Sequence, residues 1–405
     1  MYKRNIAEEI KTLALARNKM AFISGPRQVG KTTLAKMLMH NKNGQYYNWD
    51  ELEFRRLWTK SPQDSTKNLN NNAILILDEI HKAAKWKQNL KGVYDTLEKK
   101  INIIVTGSAR LDLYKKGSDS LMGRYIGFRL HPFSIGELLS KALPSPEKLK
   151  NTLQEDLSIT SAKKLQTIWN DLQHYGGFPE PLFSSSKKIL NIWQKGRIEK
   201  IVREDLRDLS RIPELSKIEM LISLLPERVA SPLSLTSLKE DLEISYDTAK
   251  RWMNYLRELY YHFEIRPWSK NISRTLKKEG KIYLWDWSEI KDPGARFENM
   301  VASHLLKACH YWTDTGAGRF ALYYLKTKDK KEIDFLVVRD GVPWLPIECK
   351  LNNTNLSPNF STFINLPEIN TFYQLVNKPN YLEKRMLAGK TIFICSADQF
   401  LRYFP

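Results

Sequence analysis

Residues 24–33 read Ser24-Gly25-Pro26-Arg27-Gln28-Val29-Gly30-Lys31-Thr32-Thr33, a glycine, four residues and then Gly-Lys-Thr. A glycine-rich loop of this spacing turns backbone N–H groups inward, where they cradle phosphate oxygens. Lys31 can reach the β/γ-phosphates, and the Thr32 hydroxyl suits Mg²⁺. Asn72-Ala73-Ile74-Leu75-Ile76-Leu77-Asp78-Glu79 is an apolar run ending in two acids. Asp78 suits the Mg²⁺ shell, and Glu79 can orient the attacking water. A third apolar run, Ile101–Val105, ends in Thr106-Gly107-Ser108. Thr106 or Ser108 would lie beside the terminal phosphate, and we take Ser108 as the sensor. Ser108 could instead cap the helix that follows.

These residues need elements to carry them. An apolar run (Ala21-Phe22-Ile23) precedes the loop and a helical run (Thr33–Leu38) follows it. That order is strand, loop, helix, and the helix N-terminus adds partial positive charge facing an anion. Fully apolar runs of five suit buried parallel strands. Acids at their C-terminal ends then lie at the edge where ligands bind. A further strand is expected over Tyr125–Leu130.

The middle of the chain has a different pattern. Ser234–Leu242 and Tyr246–Leu259 read as two short helices around a tight turn, a helix-turn-helix. Ser245 is a natural N-cap. Ala249, Trp252, Met253, Leu256 and Leu259 fall on one face. Strands at Tyr261–Pro267 and Lys281–Trp285, around the basic loop 269–280, would form a wing. Such a module binds DNA or serves as a packing and interaction unit. In the DNA-binding case Tyr246, Asp247, Thr248, Lys250, Arg251 and Asn254 face the groove, and Lys270, Arg274, Lys277 and Lys278 face phosphates.

Composition agrees with a polyanionic partner. Lys plus Arg is 64 against 45 Asp plus Glu, a formal charge of +19 over 405 residues. That excess points to nucleic acid first, although solubility alone also favours net charge. Cys309, Cys349 and Cys395 lack metal-ligand spacing and read as reduced thiols. No apolar stretch reaches the ~20 residues that span a bilayer. The expected setting is cytoplasmic, with no membrane partner.

The ordered set Gly-Pro-Arg-Gln-Val-Gly-Lys-Thr, Asp78-Glu79-Ile80, Thr106-Gly107-Ser108, Ser120-Leu121-Met122-Gly123-Arg124 and His131-Pro132-Phe133-Ser134 resembles a family of prokaryotic AAA-type ATPases related to STAND ATPases. The resemblance implies ATP and Mg²⁺ as ligands and a homo-oligomer. It implies that Arg124 is an arginine finger for a neighbour's nucleotide; an arginine at a helix C-terminus, favoured by the dipole, is the other reading. It places Pro179, in Tyr175-Gly176-Gly177-Phe178-Pro179, near the adenine, where a turn would use the same residues. Arg4 could also approach the base.

The family's C-terminal domain resembles the PD-(D/E)xK nuclease fold. Glu298 lies in an expected helix, Ala295–Leu306. Asp334 lies on the strand Lys331–Val338. Glu348 and Lys350 alternate on the strand Trp344–Lys350 and so share a face. Within that resemblance Asp334 and Glu348 hold Mg²⁺, Glu298 supports them, and Lys350 orients water. Many members of this superfold only bind, and acids followed by lysine also occur on solvated strand faces. Pro346 is awkward in a central strand because it cannot donate to a ladder.

The expected fold class is α/β. Residues 1–155 form an AAA-type P-loop parallel-sheet sandwich, and 156–212 a helical lid. Residues 213–290 form a winged helix-turn-helix, and 291–405 a small restriction-endonuclease-like domain. The expected function is ATP hydrolysis coupled to nucleic-acid engagement, with DNA the expected nucleic acid. The alternatives are an ATP-regulated metal-dependent DNA endonuclease, or a STAND-like switch acting through protein partners.

Overall fold

A computed structural model describes residues 3–40, 43–107, 121–140, 142–155, 157, 163–206, 215–269, 279–366 and 368–405. They form two compact units, 3–131 and 132–405.

The first unit is built on five parallel strands: β1 (Met20–Ser24), β2 (Gly44–Asn48), β3 (Ile74–Asp78), β4 (Asn102–Thr106) and β5 (Tyr125–Arg129). Their order is β2-β3-β4-β1-β5. The three inner strands are buried along their whole length, as their unbroken apolar runs require. On one face Phe22, Leu75, Leu77 and Val105 pack with Phe54, Trp58, Trp86 and Leu90. Tyr125 stacks on Phe22 with ring centroids 4.3 Å apart. The helix Lys31–Met39 packs against β3 and β4 and buries Leu34, Ala35 and Leu38. Edge strand β2, Gly-Gln-Tyr-Tyr-Asn, is only half-buried and carries no apolar run that would mark it in the sequence.

Parallel pairing brings every C-terminal strand end to one edge. Ile23 lies beside Thr106, Thr106 beside Asp78, and Asp78 beside Asn48. The phosphate loop and both acids therefore leave the sheet on the same side, because β4 sits between β1 and β3.

The second unit begins with helices, among them Ile135–Leu139, Lys163–Tyr175, Pro179–Ser184 and Lys187–Lys200. Buried Lys307 donates to the Pro132 carbonyl and the Ser134 hydroxyl at 3.0 Å each and pairs with Glu137 at 2.5 Å. This cluster anchors the His131-Pro132-Phe133-Ser134 segment's second half. Gly177 passes so close to Phe133 and Trp287 that a Cβ would lie 2.7 Å from the Phe133 carbonyl oxygen and 2.6 Å from the indole. Only glycine fits there.

The helix pair forms as expected, over Leu235–Leu242 and Tyr246–Glu258. The Ser245 hydroxyl accepts from the Thr248 N–H at 3.0 Å. Ala249, Trp252, Met253, Leu256 and Leu259 are all buried. The hairpin β6 (His262–Pro267) and β7 (Lys281–Leu284) follows. It also continues a larger sheet. Strands β8 (Phe320–Lys326), β9 (Glu332–Arg339), β10 (Val342–Lys350), β11 (Thr371–Val376), β12 (Leu382–Leu387) and β13 (Lys390–Ser396) join it in the order β12-β13-β11-β10-β9-β8-β6-β7. Arg266 and Pro267 of β6 pair in parallel with Tyr323 and Tyr324 of β8. The long helix Pro293–Asp314 packs on this sheet and is capped by Asp292, which accepts from Ala295 N–H at 2.7 Å. Pro346 is tolerated because β10 pairs with β11 only from Ile347 onward.

Candidate functional site

The phosphate loop owes its shape to two glycines. Gly25 has φ +149°, and a Cβ there would sit 2.3 Å from the Leu130 carbonyl oxygen. Gly30, at φ +98°, precedes the helix Lys31–Met39 and no side chain caps that helix. Its first-turn N–H groups therefore suit an external anion. Lys31 is buried, and its ammonium donates to the Gly25 and Pro26 carbonyls at 2.9 and 2.8 Å.

Asp78 is the hub of the edge. Its Oδ2 accepts from the Thr32 hydroxyl at 2.7 Å and from the Tyr46 hydroxyl at 2.9 Å. Its Oδ1 accepts from the Thr106 hydroxyl. Burial and the charge of Asp78 push the Tyr46 phenol up, so it remains a donor. Tyr46 escaped sequence reasoning because it lies on the polar edge strand β2. Thr106 takes the place beside Asp78, whereas Ser108 lies outside the described residues.

Glu79 adopts a left-handed backbone conformation, φ +56°. Burial pushes its carboxyl up, and Lys31 and Lys82 oppose that shift. Its Oε2 lies 3.6 Å from His81 Nε2 and 3.9 Å from Lys82 Nζ, and no hydrogen bond satisfies it. The buried Ser24 hydroxyl also has no hydrogen-bond partner. Unsatisfied oxygens, a hydroxyl–carboxylate pair and an ammonium resting on carbonyls fit a triphosphate with Mg²⁺, a hard cation that takes oxygen ligands.

Arg124 lies just before β5, at the opposite edge of the sheet from Gly25–Thr33. Its guanidinium makes a bidentate pair with Asp95, at 2.7 and 2.9 Å. Arg124 thus cannot serve its own phosphate loop. Arg4 is buried and donates to the His131 carbonyl. Pro179 opens the helix Pro179–Ser184 in the second unit.

In the second unit Glu298, Asp334, Glu348 and Lys350 converge, with additions that sequence reasoning missed. The Glu348 N-terminal neighbour strand β9 brings Asp334 N–H to Glu348 Oε2 at 3.3 Å, and Asp334 Oδ2 accepts from Cys349 N–H at 2.8 Å. Glu348 Oε1 accepts from Lys350 Nζ at 2.8 Å and from the Ser357 hydroxyl at 3.0 Å. Lys281, on β7 and almost fully buried, lies 2.8 Å from Glu332, 3.4 Å from Glu298 and 3.5 Å from Asp334. Burial works against the Lys281 charge, but Glu298, Asp334 and Glu332 outweigh it and raise its pKa. Burial and Asp334 in turn raise the Glu298 carboxyl. Among the described residues no group of three or more His, Cys, Asp or Glu is placed to hold a metal ion.

On the helix Tyr246–Glu258, Lys250 and Arg251 are exposed. Asn254 is half-buried and accepts from Arg257 at 3.0 Å. Lys270, Arg274, Lys277 and Lys278 lie outside the described residues. The three cysteines are buried and form no disulfide. Among the described residues no helix is long and apolar enough to cross a membrane.

Sheet and loop together define a parallel-sheet P-loop unit followed by a mixed-sheet unit. Residues 17–139 match the family model described as an AAA domain. Residues 166–288 and 293–387 match two models described as domains of unknown function, DUF8612 and DUF4143. An uncharacterized protein of Methanocaldococcus jannaschii is 24% identical over 85% of this chain and 77% of its own length. An uncharacterized protein of Mycobacterium tuberculosis is 23% identical over 82% of this chain and 70% of its own. Among solved structures, a Walker-type ATPase of Pyrococcus abyssi is 14% identical over 73% of this chain and 95% of that one, with a TM-score of 0.41. Thermotoga maritima RuvB is 17% identical over 65% and 89%, with a TM-score of 0.33.

Proposed function

We propose that the first unit binds and hydrolyses ATP with Mg²⁺ and that the second unit uses the nucleotide state to engage nucleic acid. The observation that carries this reading is the Thr32–Asp78 hydrogen bond at the sheet edge, with Lys31 and Glu79 beside it. When bound, Mg²⁺ supplies charge neutralisation on the phosphates. Thr32 and Asp78 would hold it. Lys31 leaves the Gly25 and Pro26 carbonyls for phosphate oxygens. Glu79 orients water, and Thr106 keeps Asp78 in place. Arg124, at the far edge, acts on a neighbouring copy's nucleotide and makes the active form a homo-oligomer.

The nucleic-acid half of the reading rests on the formal charge of +19 and on Lys250 and Arg251, exposed on the second helix of the pair. Phosphate contacts of that kind weaken steeply with salt. The test is ATPase activity of the full chain with and without duplex DNA, alongside Lys31→Ala. Turnover that depends on Lys31 and rises with DNA supports the reading. Turnover unchanged in Lys31→Ala overturns the first half. No DNA binding at low salt overturns the second half and favours a switch that acts through protein partners.

A further inference from the structure

We propose that Lys281 is the resident cation of the carboxylate cluster in the second unit, so that this cluster locks the β6–β7 hairpin to the sheet and does not take a divalent metal. The inference stands on the second unit alone and is independent of ATP hydrolysis in the first.

Glu298 comes from the helix Pro293–Asp314, and Glu332 and Asp334 come from β9. All three face one ammonium at 2.8–3.5 Å. Those spacings suit a charge-assisted hydrogen bond to Glu332 and ion pairs to Glu298 and Asp334, so a cationic charge already occupies the place between these carboxylates. Tyr283, two residues along β7 and so on the same face, donates to Glu298 Oε1 at 2.8 Å. Register therefore delivers a lysine and a phenol together to one carboxylate.

Both oxygens of Asp334 and of Glu348 are engaged. Asp334 uses one oxygen for Lys281 and the other for the Cys349 N–H. Glu348 uses one for Lys350 and Ser357 and the other for the Asp334 N–H. A divalent ion would have to displace these donors and sit beside a buried positive charge. Residues that resemble a metal-dependent nuclease site therefore do not fit the metal.

The test is a Mn²⁺ titration of the nucleotide-free full chain, read by the paramagnetic signal of free Mn²⁺. Asp78→Asn serves as the parent so that the ATP site does not contribute. The parent and parent plus Asp334→Asn should titrate alike. Lys281→Met should gain one site per chain, at least about tenfold tighter than any binding in the parent, since a repelling charge is gone. Adding Asp334→Asn should abolish that site, and Lys281→Arg should not create it. A Mn²⁺ ion bound by the parent and lost with Asp334→Asn overturns the proposal. A folded Lys281→Met that gains no site overturns the assignment of Lys281 as the charge that excludes the ion. Should Lys281→Met fail to fold by circular dichroism, the comparison of the parent with Asp334→Asn decides alone.

Discussion

The Thr32 hydroxyl donates to the Asp78 carboxylate across 2.7 Å, joining residues 46 positions apart. This bond fastens the phosphate loop to the end of β3. Thr32→Ala and Asp78→Asn should each lower steady-state ATP turnover at least about 100-fold, the scale seen when one preorganised electrostatic contact is removed. Thr32→Ser, which keeps the hydroxyl, should retain most activity. Turnover in Thr32→Ala equal to that of the parent chain would show that the pair is only structural.

Gly25→Ala should fail for a steric reason. Its Cβ would meet the Leu130 carbonyl oxygen at 2.3 Å, and φ +149° is strained for any side chain. We expect loss of nucleotide binding in equilibrium titration with a fluorescent ATP analogue, while helicity by circular dichroism is retained. Unaltered affinity would mean that the loop can shift away from Leu130.

Arg124 offers a test of assembly. Arg124→Ala should cut turnover by about 10³-fold or more if the arginine completes a neighbour's site. Lys31→Ala should be inactive through its own loop. Mixing the two should restore part of the activity, because a Lys31→Ala chain can lend Arg124 to an intact loop. Activity of the mixture no higher than the sum of its parts would leave Arg124 with its Asp95 pair alone.

Lys250 and Arg251 should matter through charge. Changing both to alanine should weaken duplex binding across sequences. The slope of log affinity against log salt should shrink by about 1 per lost phosphate contact. A slope that does not move would place DNA, if bound, elsewhere.

His304 makes the second unit sensitive to acid. Its Nδ1 lies 2.7 Å from the Met300 carbonyl, and the Ile135 N–H donates to its Nε2 at 3.2 Å. Burial pulls its pKa down to about 4. The unfolded chain takes the proton near 6.5, so between about 6.5 and 4 it binds more protons than the folded chain. Stability should therefore be full above 6.5 and fall with pH through that window, by about 3 kcal/mol in all. Urea midpoints at several pH values should show a flatter dependence for His304→Gln. Identical curves would remove His304 from the account.

Much of the proposed nucleotide site was legible in the sequence because its parts are local. Gly25 to Thr33 specify a loop through glycine spacing, and Ile74–Asp78 specifies a buried strand through an unbroken apolar run. The helix pair was legible for the same reason, with Ser245 as cap and Trp252 and Leu256 on one face. Tyr46 was not legible, because β2 is a half-exposed edge strand without a periodic signal. Lys281 was not legible either. A lysine at the start of a strand reads as solvated until the sheet shows which side it faces.

By itself the sequence determined the loop that we propose bonds phosphate, since chain neighbours alone set its donors and the helix that follows. Only the tertiary structure decided which distant side chains share a charge. It put Thr106 and Tyr46 on Asp78 through strand order, and it put Lys281 among Glu298, Glu332 and Asp334 through the pairing of β6 with β8. The physical reason is that electrostatic interaction depends on distance and burial, and neither is set until the strands find their neighbours.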